Sequence, residues 1–162
     1  MTRFRAPLAL LPSLALVAAV LVPSGVFADS HDEAEIKYRQ TLMSTIGSNM
    51  GAISDILKHR LDRPGAIENH AGQMADAAAL IAAAFKAKVT DGATDARAEI
   101  WSDPAGFEKA TSDYEAAARA LAEAAASGDP KAVGPAMRGL GKSCGGCHKP
   151  FRKPKEESYK NR

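Results

Sequence analysis

The chain has 162 residues, which is enough for one domain of ordinary size. It carries 21 basic and 19 acidic side chains, a formal net charge of +2 with neutral histidines. So small a net charge gives no argument for binding to nucleic acid or to an anionic membrane surface.

Residues 1–28 have the features of a secretory signal peptide. Arg3 and Arg5 supply a positive start, an apolar run follows over 8–22, and small residues at 26 and 28 suit a signal peptidase. The run is shorter than the roughly 20 apolar residues needed to cross a membrane. We therefore expect cleavage after Ala28, with a retained anchor as the alternative. The expected product is a single exported domain, 29–162, with no membrane attachment.

The remainder predicts helices throughout, because it is rich in alanine and shows no strand-like alternation. The first predicted helix covers 32–59. Apolar side chains recur along it with the spacing of a bundle-packing seam. They are Ile36, Met43, Ile46, Met50, Ile53 and Leu57. The Pro64-Gly65 pair indicates where the chain turns.

Three further helices are predicted. The second covers 66–88 and is followed by a long connection over 89–102. The third starts at Asp103-Pro104, where a capping side chain precedes a proline at the first helical position. The fourth covers 131–151, and the charged residues after it are expected to fray.

Four amphipathic helices with mostly short connections predict an all-α protein, an antiparallel four-helix bundle. In such bundles, cofactors lie in the core between facing helices. If this chain holds one there, its removal would leave a cavity and a less stable protein.

The last predicted helix contains Cys144-Gly145-Gly146-Cys147-His148, the C-x-x-C-H attachment signature of c-type haem. Two thiols can add to the two haem vinyl groups, and the adjacent imidazole can bind the iron. On a helix, positions i, i+3 and i+4 share one face. Cys144, Cys147 and His148 can therefore address one flat macrocycle. We predict one covalent haem c, with its iron, on the last helix.

Two other interpretations of the paired cysteines were weighed. A thiol-disulfide motif usually lies between a strand and a helix, and no strand pattern surrounds this one. A structural zinc site usually needs four nitrogen or sulfur ligands. The chain has only two cysteines, and its other histidines are not clustered with them. A thiol-disulfide protein without haem remains a remote alternative.

The motifs resemble those of the class II cytochromes c, the cytochrome c-prime family. The resemblance covers nearly all of the mature chain. It rests on Tyr38-Arg39-Gln40 followed by Met43, on Glu99-Ile100-Trp101, and on the haem motif followed by Arg152. It implies a periplasmic haem protein that is often a homodimer built on the first helix.

The resemblance also implies residue roles. Cys144 and Cys147 would carry the thioethers, and His148 would be the proximal iron ligand. Arg39 matches an arginine near a haem propionate, and Arg152 matches a basic residue near the proximal face. For each arginine the alternative is a solvated surface charge.

Met43 falls where the family places the residue that faces the distal side of the iron. Some members use a methionine there as sixth ligand and are low-spin electron carriers, which His and Met ligation suits. Others leave the iron five-coordinate in an apolar pocket that admits gases such as nitric oxide. The alternative role for Met43 is core filling, and Met50 is the reserve ligand candidate.

We expect an electron carrier, with a five-coordinate gas-binding protein as the alternative. No nucleophile constellation, phosphate loop or second metal site is evident, so enzymatic turnover is not expected. From Lys142 onward seven residues are basic and two are acidic. This basic end either steers an unidentified acidic redox partner or merely solvates a helix end.

Overall fold

The computed structural model describes the backbone of residues 25–161, and the side chains from His31 onward except that of Pro130. Secondary structure in this range is helical, apart from one isolated bridge between Ala96 and Arg152. The helices are α1 (Gly25–His59), α2 (Ala66–Ala78), α3 (Ile81–Ala84), α4 (Glu99–Ser102), α5 (Pro104–Ala126) and α6 (Pro130–Phe151). Two 3₁₀ turns follow at Lys155–Glu157 and Tyr159–Asn161.

The four long helices form a four-helix bundle, which confirms the predicted fold class. α2 packs against both α1 and α5, and α5 packs against α6. α1 and α6 scarcely touch each other. The space between these two helices is therefore available for something other than side-chain packing.

The core is fullest on the α2 and α5 side of the bundle. Ile53, Met74, Leu121 and Leu140 are its largest fully buried side chains. Phe107 of α5 packs edge-on against Phe151 of α6, with ring centroids 5.2 Å apart. Burial of such side chains stabilises each by about 1.5–3 kcal/mol relative to exposure.

The predicted start signal of α5 is confirmed, and α6 begins with a cap of the same kind. The carboxylate of Asp103 accepts a hydrogen bond from the backbone N–H of Gly106 at 3.0 Å, ahead of Pro104. Asp129 likewise accepts from the N–H of Lys131 at 2.9 Å. Each cap satisfies an N–H that the first turn leaves without an intrahelical partner.

The predicted helix 66–88 is wrong in its second half. Helix α2 ends at Ala78, α3 is a single short turn, and the chain then leaves the helical path before Val89. The alanine-rich run contains no Gly or Pro that signals this break. At the break the backbone turns more tightly, since the N–H of Leu80 donates to the carbonyl of Ala77. After α3, Arg39 of α1 binds the carbonyl groups of residues 84, 87 and 89.

Two further expectations need correction at the ends of α1 and α6. Helix α1 already begins at Gly25, and Leu57, which was predicted to lie on its apolar seam, is 41% exposed. The residues after Arg152 do not fray. They form the two 3₁₀ turns and bury Ser158.

The predicted signal peptide, 1–28, lies outside the described residues except for its last four, which begin α1. Among the helices described, none combines the length and the apolar composition that a membrane span requires.

Candidate functional site

A cavity of about 990 Å³ lies between α1 and α6, and residues of the other helices also line it. This volume is at the upper end of the range of about 300–1,000 Å³ that is usual for cofactor and ligand sites. Its wall includes the predicted site residues Arg39, Met43, Cys144, Cys147, His148 and Arg152. The fold thus brings together all six candidates, from two helices that are distant in sequence.

Helix α6 presents the haem-attachment residues to this cavity. Cys144 and Cys147 are both half-buried, and neither is in a disulfide. Burial raises the pKa of both thiols, and for Cys147 the neighbouring Cys144 adds to the effect. The two neutral thiols lie on one face of α6 and line the cavity. This arrangement suits their addition to a flat apolar group bound there.

His148 follows Cys147 on the same wall. The residue is exposed overall, but its ring borders the cavity. Partial burial of the ring lowers its pKa, and the positive charge of Arg152 lowers it further. Both effects favour the neutral imidazole, which is the form that binds a metal.

Three methionines line the cavity. Met43 and Met50 come from α1 and are half-buried, and Met74 of α2 is fully buried. Met137 of α6 is half-buried outside the cavity wall. Met43 and the reserve candidate Met50 therefore both lie in the wall that His148 shares, whereas Met137 does not.

One polar atom of the cavity wall is without a partner. The hydroxyl of Tyr114, on α5, is buried and has no hydrogen-bond partner among the described residues. Burial, reinforced by Cys144, raises the pKa of Tyr114 far above its usual value, so it stays a protonated donor. Two thiols and an imidazole around one large, mostly apolar space fit a bound haem.

Arg39 is neither a solvated charge nor simply a lining residue. It is 3% exposed, and its guanidinium lies over the rings of Phe85 and Trp101, at 5.0 and 5.4 Å from their centroids. Three of its N–H groups donate to the backbone carbonyls of residues 84, 87 and 89. Burial lowers the pKa of Arg39, opposed by Glu35 and Asp32. Sequence reasoning missed this structural role, because its partners lie 45 to 50 positions away.

Arg152 lies one helical turn after His148 and ends α6. Its guanidinium donates to the carboxylate of Asp95 at 3.3 Å. Asp95 was not among the predicted site residues, although it lines the same cavity. A lone aspartate in a long connection gives no sequence signal of this contact.

Comparison with known proteins gives a consistent result. The family model described as "Cytochrome C'" matches residues 34–152. The chain is 34% identical to cytochrome c' of Rhodospirillum rubrum, covering 83% of this chain and 92% of that protein. It is 28% identical to cytochrome c-554 of Cereibacter sphaeroides, covering 88% of this chain and 96% of that protein.

Solved structures agree with this family match. Cytochrome c prime from Shewanella frigidimarina superposes with a TM-score of 0.71 at 31% identity, covering 76% of this chain and 97% of that one. A nitric oxide complex of a cytochrome c prime variant from Alcaligenes xylosoxidans gives a TM-score of 0.69 at 31% identity, with the same coverage. Both likenesses extend over nearly the whole of the solved chains.

Proposed function

Since this chain belongs to the cytochrome c' family, we propose that it is a periplasmic protein that carries single electrons. The family carries one covalent c-type haem, and this chain has the attachment motif on its last helix. One observation carries the proposal. Met43 on α1 and His148 on α6 line the same cavity, which lies between two helices that scarcely touch.

Each residue then has a role in holding the cofactor. Cys144 and Cys147 would form the thioethers, His148 would be the proximal iron ligand, and Met43 would be the sixth ligand. When bound, the haem supplies reversible one-electron chemistry at its iron. Two ligands held on rigid helices keep their positions in both oxidation states, so little of the protein rearranges. Methionine and histidine ligation also raises the reduction potential.

The two arginines act around this centre. Three of the five N–H groups of Arg39 are used by backbone carbonyls. The others remain for a haem carboxylate. Arg152 stays on the His148 side and favours the neutral imidazole. No substrate is transformed in this mechanism.

We also propose where partners bind. The basic residues around the end of α6 give a surface that attracts an acidic redox protein, an effect that raises association rates at low salt. Self-association through α1 would form a homodimer. Tyr38 of α1 is 48% exposed, so it is available to such a contact.

Gas binding is the second candidate, because a similar solved structure is a nitric oxide complex. In that case Met43 lines the pocket without binding iron, and a diatomic gas enters beside it. The family assignment and its covalent haem leave no support for a thiol-disulfide protein without haem.

The absorption spectrum of the purified protein separates the two candidates. Expression with c-type maturation should give a covalently attached haem, seen as haem mass retained on the denatured chain. A low-spin ferric spectrum with a methionine-to-iron band supports the electron carrier. A high-spin spectrum that changes on addition of nitric oxide overturns it in favour of gas binding.

A further inference from the structure

The segment that follows α6, residues 153–161, is fastened to the connection before α4, and we call it the C-terminal strap. The carboxylate of Asp95 accepts hydrogen bonds from the hydroxyl of Ser158 and from the backbone N–H of Tyr159, each at 3.0 Å. The backbone carbonyl of Asp95 accepts from the N–H of Lys153 at 2.8 Å. The strap is therefore held near both of its ends by one residue.

The burial of these groups shows that the attachment is not a loose surface contact. Ser158 is 6% exposed, and the side chain of Asp95 is 11% exposed. Burial alone would raise the pKa of Asp95, but hydrogen bonds from Tyr159, Ser158 and Arg152 outweigh it and lower that pKa. Asp95 is thus a charged anchor at neutral pH.

The strap lies beyond the part of the chain that the family model matches. The family match ends at residue 152. Two strap residues, Tyr159 and Lys160, nevertheless line the cavity that we assign to the haem. The strap therefore adds a stretch of wall to the cofactor site that the family match does not include.

The charged residues around the cavity indicate which group the strap can contribute to a bound haem. Its cationic residues are Lys37, Arg39, Arg152 and Lys160, and its anionic residue is Asp95. Asp95 is engaged by Arg152, and Arg39 gives three N–H groups to carbonyl oxygens. Among the described residues, Lys37 and Lys160 have no salt-bridge partner. A haem brings two carboxylates, which need cationic or hydrogen-bonding partners.

We propose that the C-terminal strap is a further part of the haem site and that Lys160 pairs with a carboxylate of the bound haem. The inference rests on the proposed haem site but not on whether Met43 binds iron. The N–H of Lys160 donates to the hydroxyl of Ser158 at 3.3 Å. This contact holds the backbone of Lys160 beside the cavity that the residue lines, and its ammonium lies 5.9 Å from the centroid of the Tyr159 ring.

The test compares Lys160→Gln with Lys155→Gln in the full-length, haem-loaded protein. Lys155 lies on the same strap and is exposed, but it does not line the cavity. Each substitution removes one positive charge. A positive charge close to the haem disfavours the ferric state, so its loss lowers the reduction potential. Midpoint potentials are measured at low and at high salt.

We expect Lys160→Gln to have a lower potential than Lys155→Gln, with a difference that shrinks as salt screens the charge. A chain that ends at Arg152 should retain its haem, and its reduction potential should fall by at least as much as that of Lys160→Gln. Equal potentials for the two glutamine variants overturn the inference, as does a truncated chain with the wild-type potential. A wild-type protein without covalent haem would instead overturn the proposed function.

Discussion

The Nε–H of Arg39 donates to the carbonyl oxygen of Ala84 at 2.8 Å, which joins the first helix to the end of the third. The same guanidinium donates to the carbonyls of Ala87, at 2.6 Å, and Val89, at 3.2 Å. These carbonyls lie where the helical path has ended, so they lack the helical N–H partner that they would otherwise have. Arg39 therefore acts as a cap supplied by a different helix.

Replacement of Arg39 by alanine should lower the free energy of unfolding by about 2–4 kcal/mol, because buried carbonyls would lose their partners. Arg39→Lys should recover only part of this loss, since an ammonium lacks the planar fork of donors. Urea unfolding followed by circular dichroism measures both variants. Arg119→Ala, which removes an exposed ion pair with Glu115, is the control and should change little. Similar losses for Arg39→Ala and Arg119→Ala would contradict this role.

The same contact shows what the sequence could and could not predict. Local signals located the helix start at Asp103-Pro104 and the haem motif on the last helix, since each depends on neighbouring residues. The end of the helical path after Ala84 could not be predicted, because the residues before it favour a helix and the carbonyls beyond it are bound by Arg39 of another helix. The order of the C-terminal strap was missed for a similar reason. Asp95 lies 63 positions from Ser158, and nothing local marks the pair.

The orphaned hydroxyl of Tyr114 leads to a second prediction. Its removal in Tyr114→Phe takes away a buried donor that has no partner among the described residues. We therefore expect the free energy of unfolding to stay the same or to rise by up to about 1 kcal/mol. The measurement is urea unfolding of the haem-loaded variant.

Thr111→Val is the matched control for Tyr114→Phe. Thr111 is also buried, lines the same cavity and lies on the same face of α5. Its hydroxyl, however, donates to the carbonyl of Glu108 at 2.9 Å. Loss of that bond should cost about 0.5–1.5 kcal/mol. If Tyr114→Phe is the more destabilised variant, its hydroxyl has a partner in the haem-loaded protein.

Acidification should weaken the attachment of the C-terminal strap. Hydrogen bonds to the carboxylate hold the pKa of Asp95 below its ordinary value of 3.8. A carboxyl group whose pKa is lower in the folded state stabilises the protein above its unfolded pKa, and this contribution is lost as the pH falls through the folded pKa. Wild type should therefore be more stable than Asp95→Asn near pH 6, and the difference should shrink below about pH 3.8.

Urea midpoints of wild type and Asp95→Asn, measured from pH 6 to below pH 3, test this pH dependence. Asp113→Asn serves as the control, because Asp113 is exposed and, among the described residues, pairs only with Lys109 on its own helix. A difference between wild type and Asp95→Asn that stays constant with pH would show that ionisation of Asp95 does not stabilise the strap.

The last prediction concerns Met43, the residue on which the choice between electron transfer and gas binding depends. Met43→Ala removes the thioether proposed to bind the iron. A low-spin ferric spectrum should therefore become high-spin, and the methionine-to-iron band should vanish. The reduction potential should also fall, because methionine ligation raises it. Alanine leaves an apolar space beside the iron, and nitric oxide should then bind more readily than in the wild type.

Two further methionine variants identify the ligand. Met137→Ala should keep the wild-type spectrum, since Met137 is half-buried but lies outside the cavity wall. Met50→Ala should also keep it, although Met50 lies on the same wall as Met43. A low-spin spectrum that survives Met43→Ala and disappears in Met50→Ala would assign the sixth ligand to Met50. A wild-type spectrum that is already high-spin, and that Met43→Ala leaves unchanged, would mean that Met43 only lines a gas-binding pocket.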